Sequence, residues 1–258
     1  MTDLHCVTDE RGVTTLTIDR PERHNALDRE LIDAMASALH SIESITRVLV
    51  IAGSGNSFCA GADIAWMKAS IALSEADNRA DAAALSSLLE SLDTFPHPTI
   101  ARIQGAAIGG GSGLAACCDI AIANETALFG FPEVRLGLLP ATISPYVLSA
   151  IGAREARRWF LTGERFDAVT AYRLGLVHDV CSTDNLDTRV DERVKALLAG
   201  GPEAQRATKQ LVMDVAGRPV TENLRQEVAN RLAKQRAGTE AQEGLTAFLE
   251  KRKPGYSL

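Results

Sequence analysis

The chain has 258 residues, 46% hydrophobic and 23% charged, with 27 Lys and Arg against 33 Asp and Glu and a net charge of −6. That length predicts one large domain with an appendage, of ordinary globular composition. The acidic balance argues against nucleic acid or an anionic membrane as the main partner, and no apolar run approaches the roughly 20 residues that span a bilayer. Five cysteines, mostly in apolar runs and with Cys117 and Cys118 adjacent, predict reduced, buried thiols and a cytoplasmic setting. Met1-Thr2-Asp3-Leu4-His5 carries neither a basic nor a hydrophobic leader.

Residues 4–10 and 13–19 read as strands joined in a hairpin at Arg11-Gly12. A polar loop from Arg20 follows, with Asp28 as cap of an amphipathic helix over 29–45, its apolar positions including Leu31, Met35, Leu39 and Ile42. Residues 47–52 read as a buried strand. The glycine turn Phe58-Cys59-Ala60-Gly61-Ala62-Asp63 then leads to a helical piece capped by Asp63. A helix over 75–94 ends at Phe95-Pro96-His97-Pro98, and the buried strand 99–104 enters a second glycine turn and a small-residue helix near 110–118. Strands at 119–124 and 127–129 follow. Beyond Ser144, helices are expected over 144–150, 153–162, 167–174, 185–199, 202–216, 219–237 and 239–250, with a short extended piece over 176–180. Thr239 and Gln242 form a capping-box pattern for the last helix. Alternating strands and helices predict an α/β layered or spiral core over 1–200. Gly200-Gly201-Pro202 marks its boundary with a helical C-terminal region over 201–258.

The second glycine turn, Gly105-Ala106-Ala107-Ile108-Gly109-Gly110-Gly111-Ser112-Gly113, places free backbone N–H groups and a helix dipole after a buried strand. Such a turn can hold an anion or a developing oxyanion; close packing of helix on strand would demand the same glycines. Gly105 and Gly110 have phosphate-loop spacing, but Gly111-Ser112 follows where a lysine is required. A dinucleotide fingerprint is not matched. Ser112 is no nucleophile elbow, because Leu114 replaces the glycine needed two places on. The five histidines are scattered without ligand spacing, so no metal is expected. Glu133 reads either as a solvated loop carboxylate or as a buried one. Its neighbours Phe129, Phe131, Val134 and Leu136 favour burial and a raised pKa suited to proton transfer. The two turns could each supply one N–H to a two-donor oxyanion hole.

Phe58 to Ile64, Gly105 to Gly111, Cys118-Asp119-Ile120-Ala121 and Phe131-Pro132-Glu133-Val134-Arg135-Leu136-Gly137 together resemble the enoyl-CoA hydratase/isomerase (crotonase) family. The likeness runs from the Arg20-Pro21 loop to Glu250-Lys251-Arg252-Lys253. It implies a crotonase-like spiral of ββα units and a helical C-terminal region that trimerises and covers CoA. It also implies an acyl-CoA thioester substrate, no cofactor beyond that CoA, and a homotrimer or dimer of trimers. By the family pattern the N–H groups of Ala62 and Gly110 hold the thioester oxygen and Glu133 moves protons. Ala60, Asp63 and Ile64 line the adenine end, and Phe248 and Lys251 reach CoA.

Gly113 departs from the pattern, since hydratases of the family carry the first of two glutamates there. It reads as room for a bulky or β-branched acyl group, or as a tight helix contact. Pro140-Ala141-Thr142-Ile143-Ser144-Pro145-Tyr146 and Ala65-Trp66-Met67 resemble the branch acting on 3-methylglutaconyl-, isohexenylglutaconyl- and carboxygeranoyl-CoA. Arg135, Ser144 and Tyr146 are the nearby candidates for holding a distal carboxylate. The expected activity is hydration of a branched 2-enoyl-CoA, with or without such a carboxylate. A Δ3,Δ2-enoyl-CoA isomerase using one glutamate is the alternative, and a non-catalytic acyl-CoA- or RNA-binding protein of the same fold a further one.

Overall fold

Two sheets at the heart of the molecule are fed alternately by the same stretches of chain, and that alternation builds the site. The structure is a computed structural model describing residues 3–258; Met1 and Thr2, part of the start read as leaderless, lie outside it. The hairpin β1 (Leu4–Thr8) and β2 (Val13–Ile18) leads through the 20–28 loop into α1 (Arg29–Ile42). Then follow β3 (Val48–Gly53), β4 (Ser57–Cys59), α2 (Ile64–Ser70) and α3 (Glu75–Asp93). The next unit is β5 (Thr99–Ile103), β6 (Ala106–Ile108) and α4 (Gly110–Cys117); the one after it is β7 (Ile120–Asn124), β8 (Leu128–Gly130) and α5 (Ser144–Thr162). The chain continues through β9 (Arg165–Asp167), α6 (Ala168–Leu174), β10 (Asp179–Cys181) and α7 (Leu186–Leu198). It ends in α8 (Pro202–Val215), α9 (Glu222–Ala237) and α10 (Thr239–Leu249).

The larger sheet has the order β1-β2-β3-β5-β7-β10 and is parallel beyond its first hairpin. The smaller has the order β4-β6-β8-β9, parallel except for β9 at its edge. In the middle of the large sheet β3, β5 and β7 are each followed by a short strand of the small one (β4, β6 and β8), and a helix returns the chain. This is the ββα spiral expected from the sequence. Because β4, β6 and β8 run parallel, their C-terminal ends emerge side by side, at residues 60, 109 and 131.

Parallel strands covered on both faces need near-continuous apolar sequence, and β3 is buried at every position. One face of the large sheet (Leu16, Ile18, Leu49, Ile51, Ile103) packs with α1 and α3. The other face (Val48, Val50, Ile100, Ile122) packs against Leu186, Val190, Val194 and Leu198 of α7. Each such aliphatic side chain contributes about 1.5–3 kcal/mol on burial. The C-terminal helices attach through an ion pair of Lys209 Nζ with Asp119 Oδ2 at 2.9 Å and a hydrogen bond of 3.1 Å from Arg47 to the Gly200 carbonyl. They leave Leu245, Phe248 and Leu249 exposed.

Asp28 and Asp63 cap α1 and α2 as expected, accepting from Leu31 N and from Ala65 N and Trp66 N. Three of the three-residue strands, β4, β6 and β9, escape the sequence reading, since so short a run registers no period; β8 and β10, equally short, overlap pieces expected to be extended. The cap of α10 also differs: Gly238 occupies the N-cap without a side-chain bond, Thr239 is already helical, and Gln242 Nε2 donates to the Arg236 carbonyl.

Candidate active site

The turn after β4 is held from one side by the 20–28 loop. Leu27 N donates to the Gly61 carbonyl at 2.7 Å, and Asp63 N donates to the Leu27 carbonyl at 2.8 Å. In this parallel bridge Leu27 engages the residues on either side of Ala62, so the Ala62 N–H is turned away from it. That N–H has no acceptor among the described residues. Gly61 sits at φ +93°, and a Cβ there would lie 2.9 Å from the Ile108 carbonyl oxygen and 3.8 Å from Gly110 N. Only glycine lets the two turns approach this closely.

The second turn follows β6. Gly109 N donates to the Gly130 carbonyl at 2.9 Å. Gly109 itself adopts φ 53°, ψ −115°, which side chains disfavour. Gly110 opens α4, and its N–H is one of the helix-start donors that no intrahelical carbonyl can reach; it too has no acceptor among the described residues. The N–H groups of Ala62 and Gly110 therefore form a pair of free donors at adjoining turns, one of them at the positive end of a helix dipole.

Beyond β8, buried Phe131 packs edge-to-face on Phe160 at 4.9 Å and anchors a 3₁₀ turn over Pro132–Leu136. This turn delivers Glu133 to the same place: a Cβ on Gly109 would be 3.0 Å from Glu133 Oε1. Glu133 Oε2 is buried with no hydrogen-bond partner. Burial pushes its carboxyl pKa above the ordinary value.

The donors and the carboxylate border one cavity of about 240 Å³. Leu27, Trp66, Met67, Leu85, Ile108 and Leu139 make its apolar wall. Trp66 is held by a 2.9 Å hydrogen bond from its ring Nε1 to Asp81 Oδ2. Ala60, Ala62, Gly110 and Glu133, all singled out from sequence, border this cavity. Asp63 is buried beside it as the cap of α2, and Ile64 is 79% exposed outside it. Phe248, 80% exposed on α10, and Lys251 just beyond that helix do not line the cavity in a single chain.

Two readings of the sequence need correction. Gly113 leaves no room for an acyl group, because a Cβ there would lie 2.3 Å from Ile143 Cγ2 and 3.0 Å from Ile143 Cβ. Ile143 fills the vacated space, so the tight helix contact is what the structure displays. Arg135, Ser144 and Tyr146 do not line the cavity, and among its lining residues there is no Arg, Lys or His. Arg135 lies against Gly163, the Ser144 hydroxyl donates to the Ala141 carbonyl at 2.8 Å, and the Tyr146 hydroxyl, pushed up to about 12 by burial, feels Cys117 and Asp93.

Sequence reasoning also missed the frame beneath the site. Arg20 is 2% exposed, yet its guanidinium lies 2.6 Å from Asp28 and 3.9 Å from Asp63 and donates to the Ala26 carbonyl. Asn25, in the left-handed region, donates to the carbonyls of Ser54 and Ser57. Both stand in a stretch polar enough to read as a solvated loop. The Arg-plus-two-Asp content of 20–28 and the Asp63 cap was the available signal.

Two free backbone donors beside a buried carboxylate, set on a crotonase fold, make a site able to hold an oxyanion and move a proton. The profile described as Enoyl-CoA hydratase/isomerase matches residues 8–257, and the chain belongs to that family. It is similar to the crystal structure of an enoyl-CoA hydratase from Shewanella pealeana, at 41% identity and TM-score 0.95, covering 98% of this chain and 96% of that one. It is also similar to Pseudomonas aeruginosa AtuE, at 37% identity and TM-score 0.95 over 100% of both chains. The crotonyl-CoA hydratase of Syntrophomonas wolfei is 33% identical over 96% of this chain and 95% of its own. Among the described residues no helix is long and apolar enough to cross a membrane.

Proposed function

We propose that the chain hydrates a 2-enoyl-CoA thioester carrying a short, apolar acyl group. The thioester oxygen accepts from the N–H groups of Ala62 and Gly110. Water adds to the β-carbon, the π-electron pair moves onto the thioester oxygen as an enolate, Glu133 takes the water proton and then returns a proton to the α-carbon. Removal of one donor from such a hole typically costs about 100- to 1000-fold in rate. The observation that carries the reading is the buried Glu133 carboxyl, its Oε2 without a partner, bordering a cavity shared with two free backbone donors. The apolar wall favours an uncharged acyl group over a carboxylated one, since a buried carboxylate without a cation or donors is costly.

The exposed apolar residues of α10 suit burial against a second copy, in a trimer or dimer of trimers that would carry Phe248 and Lys251 toward bound CoA. Ala60, Asp63 and Ile64 would then line the adenine end. Glu133→Gln should abolish hydration while leaving binding of the CoA thioester intact, read by loss of conjugated-thioester absorbance and by calorimetry; unchanged turnover removes the reading. One observation favours a second reading, Δ3,Δ2-enoyl-CoA isomerisation: Ile143 fills the place of a second carboxylate, and one carboxylate suffices to shuttle a proton. Incorporation of ¹⁸O from labelled water separates the two.

A further inference from the structure

Addition of water demands that a water molecule be held in a cavity whose wall is almost wholly apolar. An ordered water needs two to four polar partners. Glu133, whose carboxylate borders the cavity, supplies one. Among the other lining residues, the Trp66 ring N–H is already committed to Asp81, and Thr142 alone brings a hydroxyl. That hydroxyl has no hydrogen-bond partner among the described residues, whereas those of neighbouring Ser144 and of Ser112 are bound to backbone carbonyls.

The packing of α4 places the residue after Thr142 relative to the carboxylate. Glu133 Oε1 touches the position of a Cβ on Gly109, and Ile143 touches the corresponding position on Gly113. Gly113 N donates to the Gly109 carbonyl at 3.0 Å, so the two glycines stand one helical turn apart. Glu133 and Ile143, the residue next to Thr142, therefore meet α4 at positions four residues apart, and Glu133 and Thr142 border the same cavity.

We infer that Thr142 is the second anchor of the attacking water, its hydroxyl orienting the water oxygen toward the β-carbon while Glu133 removes the proton. This rests on the hydratase reading and deepens it. The water O–H bond breaks toward Glu133, the new C–O bond forms at the β-carbon, and Thr142 stays chemically unchanged. It is a positioning residue, replacing by geometry what a second carboxylate would do at position 113.

The test uses the full-length chain with Thr142→Val, close to threonine in shape, and Thr142→Ser, which restores the hydroxyl. Two reactions are followed: hydration of crotonyl-CoA, and exchange of the α-proton of butyryl-CoA in D₂O, which needs the oxyanion donors and Glu133 but no attacking water. Thr142→Val should lose about 10- to 100-fold in hydration kcat with KM little changed. Exchange should stay within about threefold of wild type, and Thr142→Ser should recover most of the hydration. Hydration undiminished in Thr142→Val, or hydration and exchange lost in parallel, overturns the assignment alone. A wild-type chain that exchanges the α-proton but adds no water overturns the hydratase reading and the assignment with it.

Discussion

The contact between Gly113 and Ile143 makes a quantitative prediction. A methyl group at position 113 would sit 2.3 Å from Ile143 Cγ2, 3.0 Å from Ile143 Cβ and 3.7 Å from Leu89 Cδ2. Ile143 is 1% exposed and Leu89 fully buried, so neither can swing into solvent. Overpacking of this kind costs about 1–3 kcal/mol, while replacing glycine in a helix by alanine returns up to about 1 kcal/mol. Gly113→Ala should therefore destabilise by roughly 0–2 kcal/mol. Ile143→Ala removes the Cγ2 obstacle but opens a cavity costing about 2–4 kcal/mol. The double variant should be more stable than the sum of the singles predicts, with a coupling of at least about 1 kcal/mol between these contacting sites. Urea unfolding of the four proteins at neutral pH measures the cycle. Strict additivity, or a Gly113→Ala protein stabilised by the full helix-propensity gain, would refute the claim that Ile143 occupies the space above Gly113.

Other consequences follow from the same groups. Glu133 must be ionised to accept a proton, and burial raises its pKa. The acid limb of kcat/KM should then lie above the range of about 4.3 that an ordinary glutamate gives, and a limb at the ordinary value contradicts its burial. The same shift has a stability sign. A carboxyl whose folded pKa is raised favours the folded state while protonated, below its unfolded pKa, and that contribution is lost as pH rises through the folded pKa. Glu133→Gln should thus raise Tm at neutral pH and leave it unchanged near pH 3. The unpaired buried group costs about 1–3 kcal/mol, at about 2–4 °C per kcal/mol for a chain approaching this size. Arg20→Met should destabilise by about 3 kcal/mol, the low end for a broken buried ion pair, because Arg23 stays 3.9 Å from Asp28 and 3.6 Å from Asp63; a change in urea midpoint worth under about 0.5 kcal/mol, within the range of an ordinary surface substitution, would place the network outside the fold's support. Of the five thiols, Cys59 and Cys118 are buried and pushed up to about 12, and burial raises Cys117 as well. A disulfide reagent at pH 8 should modify exposed Cys6 quickly and Cys181 slowly, and reach the other three only after denaturant. Fast reaction of a third thiol in the native chain argues against that burial.

The large parallel sheet was legible because its strands are continuous apolar runs, and α1 because Leu31, Met35, Leu39 and Ile42 mark one helical face. Glu133 and the two glycine turns stood out because their composition is hard to explain otherwise: positive φ at Gly61 and Gly109 is a backbone demand written directly into residue type. What hid was pairwise packing. Nothing in a linear sequence says that Ile143 lies on Gly113, 30 positions away, so an absent side chain looked like empty space. Arg20 and Asn25 were hidden for the opposite reason: polar residues are buried only when partners satisfy them, and the Asn25 partners Ser54 and Ser57, with the Asp63 carboxylate near Arg20, come from the following ββα unit.

The glycines of α4 explain why the site is built around so short a helix. A Cβ on Gly111 would lie 2.1 Å from the Cys59 carbonyl oxygen, one on Gly109 would meet Glu133, and one on Gly113 would meet Ile143. Each missing side chain admits a different neighbour: strand β4, the 3₁₀ turn and the start of α5. The glycines within the helix cost roughly 1 kcal/mol each in propensity, and contact on all three sides offsets that cost. Gathering three segments around one helix N-terminus fixes the free Gly110 N–H against the Ala62 turn on one side and the Glu133 carboxylate on the other. Different groups face the two glycines. A carboxylate stands over Gly109 and a hydrocarbon over Gly113, so Glu133 is the one charged side chain among the described residues lining the cavity, and Thr142, beside Ile143, brings its one hydroxyl.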